Sequence, residues 1–301
     1  MIDRFNFFDV YGYLIPGLSL LALSFAPLIV VGALSPDIDL GSALAWVVLG
    51  YVLGLLLHAV ARHLIPAFKV QDGMDVYDSM EALDSQHCRF DASTLTRLQA
   101  SIRKAFGLET AGGKSVDLLR SRRDAFYCCR SWLLRRKLAG YSEQFEGMYS
   151  MFRSVSAASW MGSAYAIGFF AGTAVHAQGN SEGMTSAMFL LLVGVLAALL
   201  VQVCWKYEWM KRKSIGRVIA GLWVIAAAIT GTLIGSRLSA SHAQQATLVL
   251  LAAFAGLIGR ISMKQFQFFN RQFSDTVYRD FLESYRDSSE SSSVDHATRE
   301  E

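Results

Sequence analysis

The sequence predicts an all-α, polytopic membrane protein with six transmembrane helices and an intracellular helical region. Three observations carry that expectation. Six apolar stretches of about 20 residues match the helix length that crosses a hydrocarbon core of about 30 Å. The 301-residue chain is 53% hydrophobic with a mean hydropathy of +0.33, and the excess apolar content belongs on a lipid-facing surface. Threading the stretches alternately from an inside N-terminus places every one of the 28 Lys and Arg inside, Arg237 excepted. That asymmetry sets orientation.

The first stretch, Leu14–Leu34, holds no ionisable residue, and Pro16 falls in its first turn, where a missing donor is tolerated. The others are Ser42–Ala61, Ser154–Val175, Thr185–Trp205, Val218–Ser236 and Ala243–Ile261. Asp3 and Asp9, and the length of the first stretch, argue against a cleaved signal peptide. Trp205, Tyr207 and Trp209 form an aromatic belt where the fourth stretch ends. The chain divides into an N-terminal segment with two spans (1–61), a cytoplasmic helical region (62–153), and four further spans (154–261). An amphipathic cytoplasmic helix (262–286) and a Ser-, Asp- and Glu-rich tail (287–301) follow, and the tail is expected to be disordered. Both termini are expected in the cytoplasm of a cell with this protein in its inner membrane. Cys88, Cys128, Cys129 and Cys204 all fall on the inner side or at an inner helix end, where no disulfide framework is expected. The outer loops are too short for a folded domain.

In the large inner loop, Ser93 or Thr94 can cap a helix whose apolar face is Leu95, Leu98, Ile102 and Phe106. Gly107, Gly112 and Gly113 interrupt. Ser115 can cap a second helix reaching about Ala139, with Leu119, Phe126 and Leu133 on one face. A weaker helical pattern, Val76, Tyr77, Met80 and Leu83, precedes both. The third and sixth spans continue past the apolar stretches. Phe145, Met148, Tyr149 and Phe152 repeat before span three; Phe266, Phe269, Phe273, Val277, Phe281 and Tyr285 form a stripe after span six. The stripe is a candidate surface for a cytosolic protein partner. The two extensions are expected to pack on each other or on other copies of the chain in a homo-oligomer.

The second inner helix carries Arg120, Arg122, Arg123, Arg135, Arg136 and Lys137 among aromatic residues. These six are the candidate anion-binding residues, for lipid headgroups, a phosphorylated small ligand or nucleic acid. A basic juxtamembrane helix satisfying inner-leaflet electrostatics has the same composition. The net charge of +3 is no nucleic-acid signature. On span two, Gly50, Gly54, His58 and Arg62 share a face at steps of four. His58 is a candidate gate, or the polar end of a packing face. Gly168 and Gly172, and Gly231 and Gly235, repeat the small-residue spacing that lets membrane helices approach closely.

The run Gly107 to Ser115 nearly spells a phosphate-binding loop, but its first glycine is one position out and no apolar strand precedes it. His87–Cys88 and Cys128–Cys129 lack the spacing of zinc ligands. No metal, cofactor or enzymatic activity is expected. The absence of mid-span Asp, Glu, Lys and Arg argues against an ion-coupled transporter of small molecules.

Phe8-Asp9-Val10-Tyr11-Gly12-Tyr13-Leu14-Ile15-Pro16-Gly17 resembles the N-terminal motif of uncharacterised bacterial multi-pass inner-membrane proteins, some linked to anti-phage defence loci. Phe145, Met148, Tyr149, Phe152 and Arg153 are similar to a second segment of such proteins. The resemblance implies a membrane effector answering an intracellular signal, with antiviral defence as its setting. The expected function is therefore an integral membrane effector or channel-like protein whose cytoplasmic helices sense an intracellular partner or anionic ligand. The alternative is a non-catalytic scaffold that recruits a cytosolic partner.

Overall fold

The structure, a computed structural model, describes residues 9–35, 40–71, 74–112, 115–178 and 214–297. The expected fourth span, Thr185–Trp205, and the aromatic belt at its end lie outside these residues. The architecture is all-α with one small hairpin. A π-helical turn (Val10–Leu14) leads into α1 (Ile15–Val30), then α2 (Leu40–Leu64), β1 (Phe68–Gln71), β2 (Met74–Tyr77) and α3 (Asp78–Glu81). There follow α4 (Ala92–Phe106), α5 (Val116–Arg135), α6 (Gly140–Gln178), α7 (Ser214–Gly235) and α8 (His242–Ala297). The chain forms two compact units, Met1–Pro66 with Ser150–Phe266, and Ala67–Tyr149 with Gln267–Glu301.

The first unit is held by backbone-to-backbone approach at small residues. A Cβ on Gly17 would fall on the Gly50 carbonyl, and one on Gly54 would fall on the Tyr13 carbonyl. The α6–α7 contact repeats the device: Gly168 faces the Ala228 carbonyl, Gly172 the Thr232 carbonyl, Gly231 that of Tyr165 and Gly235 that of Phe169. Such approach maximises dispersion contact where no hydrophobic effect drives helices together. On the side of α6 facing α8, Ser156 Oγ donates to the Gly259 carbonyl at 2.8 Å and Ser163 Oγ to the Ala252 carbonyl at 2.9 Å.

Three helical segments are long and apolar enough to cross a membrane: Val10–Val30, Ala43–Leu64 and His242–Arg286. The shorter Gly221–Gly235 is apolar as well. They associate the chain with a membrane. The expected third span, Ser154–Val175, is not among the three. It is the interior helix of its unit, with Ala157, Ala158, Ala166, Phe169 and Ala171 buried. An interior helix needs small residues for close packing, and its Ser, Gly and Ala lower its hydropathy. Its neighbours turn large apolar side chains outward, as at Leu44, Leu56, Leu233, Leu250 and Phe254.

The second unit has a conventional hydrophobic core. Leu95, Leu98 and Ile102 of α4, Ala125, Phe126, Cys129 and Leu133 of α5, and Phe273, Val277, Tyr278 and Phe281 of α8 interlock there. Phe145 and Tyr149 at the start of α6 meet Phe269 and Phe273, so the two extensions do pack together. The buried Tyr278 hydroxyl donates to the Ser79 carbonyl at 2.9 Å. Asn270 donates to the Asp78 carboxylate, and Arg89 pairs with Asp275 at 2.8 Å.

Several local expectations change. The residues read as a weak helix include Val76 and Tyr77 of strand β2, which pairs antiparallel with β1 in the register Phe68 to Tyr77 and Lys69 to Val76. The connection is Asp72-Gly73 in sequence, a strong two-residue hairpin signal. The cap of α4 is Asp91, one residue outside the helix: its carboxylate accepts from the Thr94 amide at 2.9 Å and from the Ser93 and Thr94 hydroxyls at 2.6 Å. These bonds hold the Asp91 carboxyl well below the usual range. Ser115 caps α5, accepting from the Leu118 amide at 3.2 Å, but α5 ends at Arg135 rather than near Ala139. The helix α8 continues to Ala297, past the Asp287 at which a disordered tail is expected; neither Gly nor Pro interrupts that stretch.

Candidate functional site

The six candidate anion-binding residues separate into different roles. Arg122 is 1% exposed. Its Nε donates to the Thr110 carbonyl at 3.0 Å and an Nη to the Gly112 carbonyl at 3.1 Å, with Asp84 at 3.9 Å. It is a brace tying the α4–α5 connection to α5, and no ligand anion reaches it. Burial pushes the Asp84 carboxyl up, but the Gln86 amide, His87 and Arg122 hold it below its ordinary value. The sequence assignment of Arg122 to a binding face is thereby corrected.

Arg120, Arg123, Arg135, Arg136 and Lys137 are exposed. Arg120 stands 3.9 Å from Asp117 and Arg123 3.5 Å from Asp124, both between largely exposed side chains. Pairs of that kind contribute little and yield readily to another anion. Arg136 lies over the Trp132 ring at 3.9 Å, a cation–π contact that fixes one charge. From Ala125 to Ser142 the sequence contains no Asp or Glu.

The end of α5 is closed by paired bonds. The Leu138 amide donates to the Leu133 carbonyl at 3.0 Å, and the Lys137 amide to the Leu134 carbonyl at 3.1 Å. This is the Schellman pattern, whose turning residue is usually glycine. Here it is Lys137, at φ 58°, and among the described residues it is the only non-glycine with positive φ. The same task at the ends of α1 and α4 falls to Gly32 (φ 74°) and Gly107 (φ 68°).

The candidate partner stripe is also reassigned. Phe273, Val277 and Phe281 are buried in the second unit's core, and Tyr285 packs on its edge. Phe266 is buried, with Arg153 over its ring at 5.9 Å, and Phe269 meets Phe145. The stripe is therefore spent inside the chain. The candidate gate His58 is buried between the Tyr13 ring, at 5.4 Å edge-on, and Ser150, whose Oγ is 3.0 Å from its Nδ1. It pins the opening π-turn, α2 and α6 together.

The Cys129 thiol is fully buried, and burial pushes it well up; burial also raises Cys88. Among the described residues no three His, Cys, Asp or Glu side chains converge on one point. No family model matches this chain, and no curated protein or solved structure is found to be similar to it.

Proposed function

We propose that the chain is a six-span inner-membrane effector or channel-like protein, with both termini in the cytoplasm, whose second unit senses an intracellular anionic ligand. The observation that carries this reading is the exposed cationic face of α5, in a polar unit that shares α6 and α8 with the apolar helices. The outward apolar residues of α2 and α8 support the orientation. On α2 the exposed large apolar side chains stop short of Arg62, and on α8 Arg260 and Lys264 interrupt them before Phe268, cations at the end that the charge bias places inside. Long helices that enter both units are a route by which binding can bias a membrane-embedded state.

The test uses the purified chain in liposomes of neutral phosphatidylcholine, with ATP as the anionic probe on the side exposing the second unit. Potassium flux is expected to rise with ATP and to lose that rise in the Arg120→Gln/Arg123→Gln variant. Flux that is absent in all conditions, or equal in the variant, sinks the reading. The scaffold alternative has less support, because the aromatic stripe it relies on is buried within the chain.

A further inference from the structure

We infer that the end of α5 and the turn into α6, Leu134 to Tyr141, form a docking surface for an anionic lipid bilayer. The inference rests on the reading of α5 as an anion-facing element and names the anion for its C-terminal end.

Leu134, Leu138 and Tyr141 are 40%, 48% and 72% exposed. Arg135, Arg136 and Lys137 lie among them, with no carboxylate nearer in sequence than Asp124 and Glu143. Cations at a helix C-terminus also favour the helix dipole, but that role leaves the exposed leucines and the tyrosine unexplained. Apolar and aromatic side chains interleaved with cations are what an interfacial segment presents, the apolar groups entering the headgroup boundary and the cations meeting phosphates.

Charge selects among occupants. A second copy docking by two-fold symmetry would bring Arg135, Arg136 and Lys137 against their own images, at a repulsive cost. A bilayer of anionic lipid is complementary, and it is already at hand for a chain with membrane-crossing helices.

The backbone supplies an independent observation. A lysine in the left-handed region is less stable than glycine there. Gly32 and Gly107 show the cheaper solution used twice in this chain. Keeping a charged residue at the strained position adds a third cation to the sequence run Arg135-Arg136, and strain retained against the local optimum points to a functional position.

The experiment is hydrogen–deuterium exchange on the full chain in nanodiscs. One set is phosphatidylcholine and the other carries ~30% phosphatidylglycerol, an anionic fraction that attracts polybasic segments. Amides of 131–141 are expected to exchange at least about tenfold more slowly with phosphatidylglycerol present. Arg135→Gln/Arg136→Gln and Leu138→Ser/Tyr141→Ser should each lose most of that protection, with α4 exchange unchanged as the check on folding. Lys137→Gly is the discriminating variant: it should melt at a higher temperature and still lose part of the protection. Protection equal in both lipid compositions overturns the inference. So does protection in phosphatidylcholine discs on adding about 10 mM inorganic phosphate, which would make the anion soluble and leave the proposed function standing. A Lys137→Gly chain with undiminished protection removes the lysine from the surface and overturns its assignment.

Discussion

Two arginines, two positions apart on α5, have opposite fates. Arg122 follows Leu119 by three residues and precedes Phe126 by four, so helical spacing puts it on the apolar face. That placement was legible in the sequence, and charge alone led to the wrong group. Buried, it answers two carbonyls and faces Asp84. Arg122→Ala strands those groups, and loss of one member of a buried charged network costs about 3 kcal/mol or more. Arg120→Ala removes an exposed side chain and should change stability by no more than about 0.5 kcal/mol. Thermal unfolding of the two variants in the same detergent checks the contrast; equal melting temperatures would overturn the bracing role of Arg122.

Among elements, glycine has different meanings that spacing only partly separates. Gly50, Gly54, Gly168, Gly172, Gly231 and Gly235 repeat at steps of four and sit where another helix comes close. Gly140 opens α6 with nothing within 4 Å of a built Cβ. Gly54→Ala forces α2 off the Tyr13 carbonyl and should destabilise by about 1–3 kcal/mol, the usual range for overpacking. Gly140→Ala meets open space and should be neutral or stabilise by up to about 1 kcal/mol through reduced unfolded-state entropy. Melting both variants in detergent distinguishes a packing glycine from a permissive one. The hairpin shows a different lesson. Its short strands alternate too little to compete with a helical period, and the informative feature was the Asp72-Gly73 pair rather than the periodicity.

For the whole molecule, hydropathy ranks helices by what faces outward, so it ranks the interior helix lowest. The expected third span has the small side chains an interior position needs, and that composition separates it from the three segments that read plainly as membrane-crossing. Topology is testable directly. In a background lacking the native cysteines, Arg237→Cys should react with a membrane-impermeant maleimide in intact cells, and Lys264→Cys only after lysis. Equal labelling of both before lysis overturns the assigned orientation. The sequence by itself determined the helical class, the apolar segments, the small-residue faces and the concentration of charge between and after them, because these follow from composition and period. Only the tertiary structure decided which groups remain available. It buried Arg122 and the aromatic stripe of α8, enclosed His58, and left the end of α5 outward with its strained lysine. The reason is that burial depends on which faces meet across long sequence separations, and neither charge nor periodicity along one helix specifies its partner.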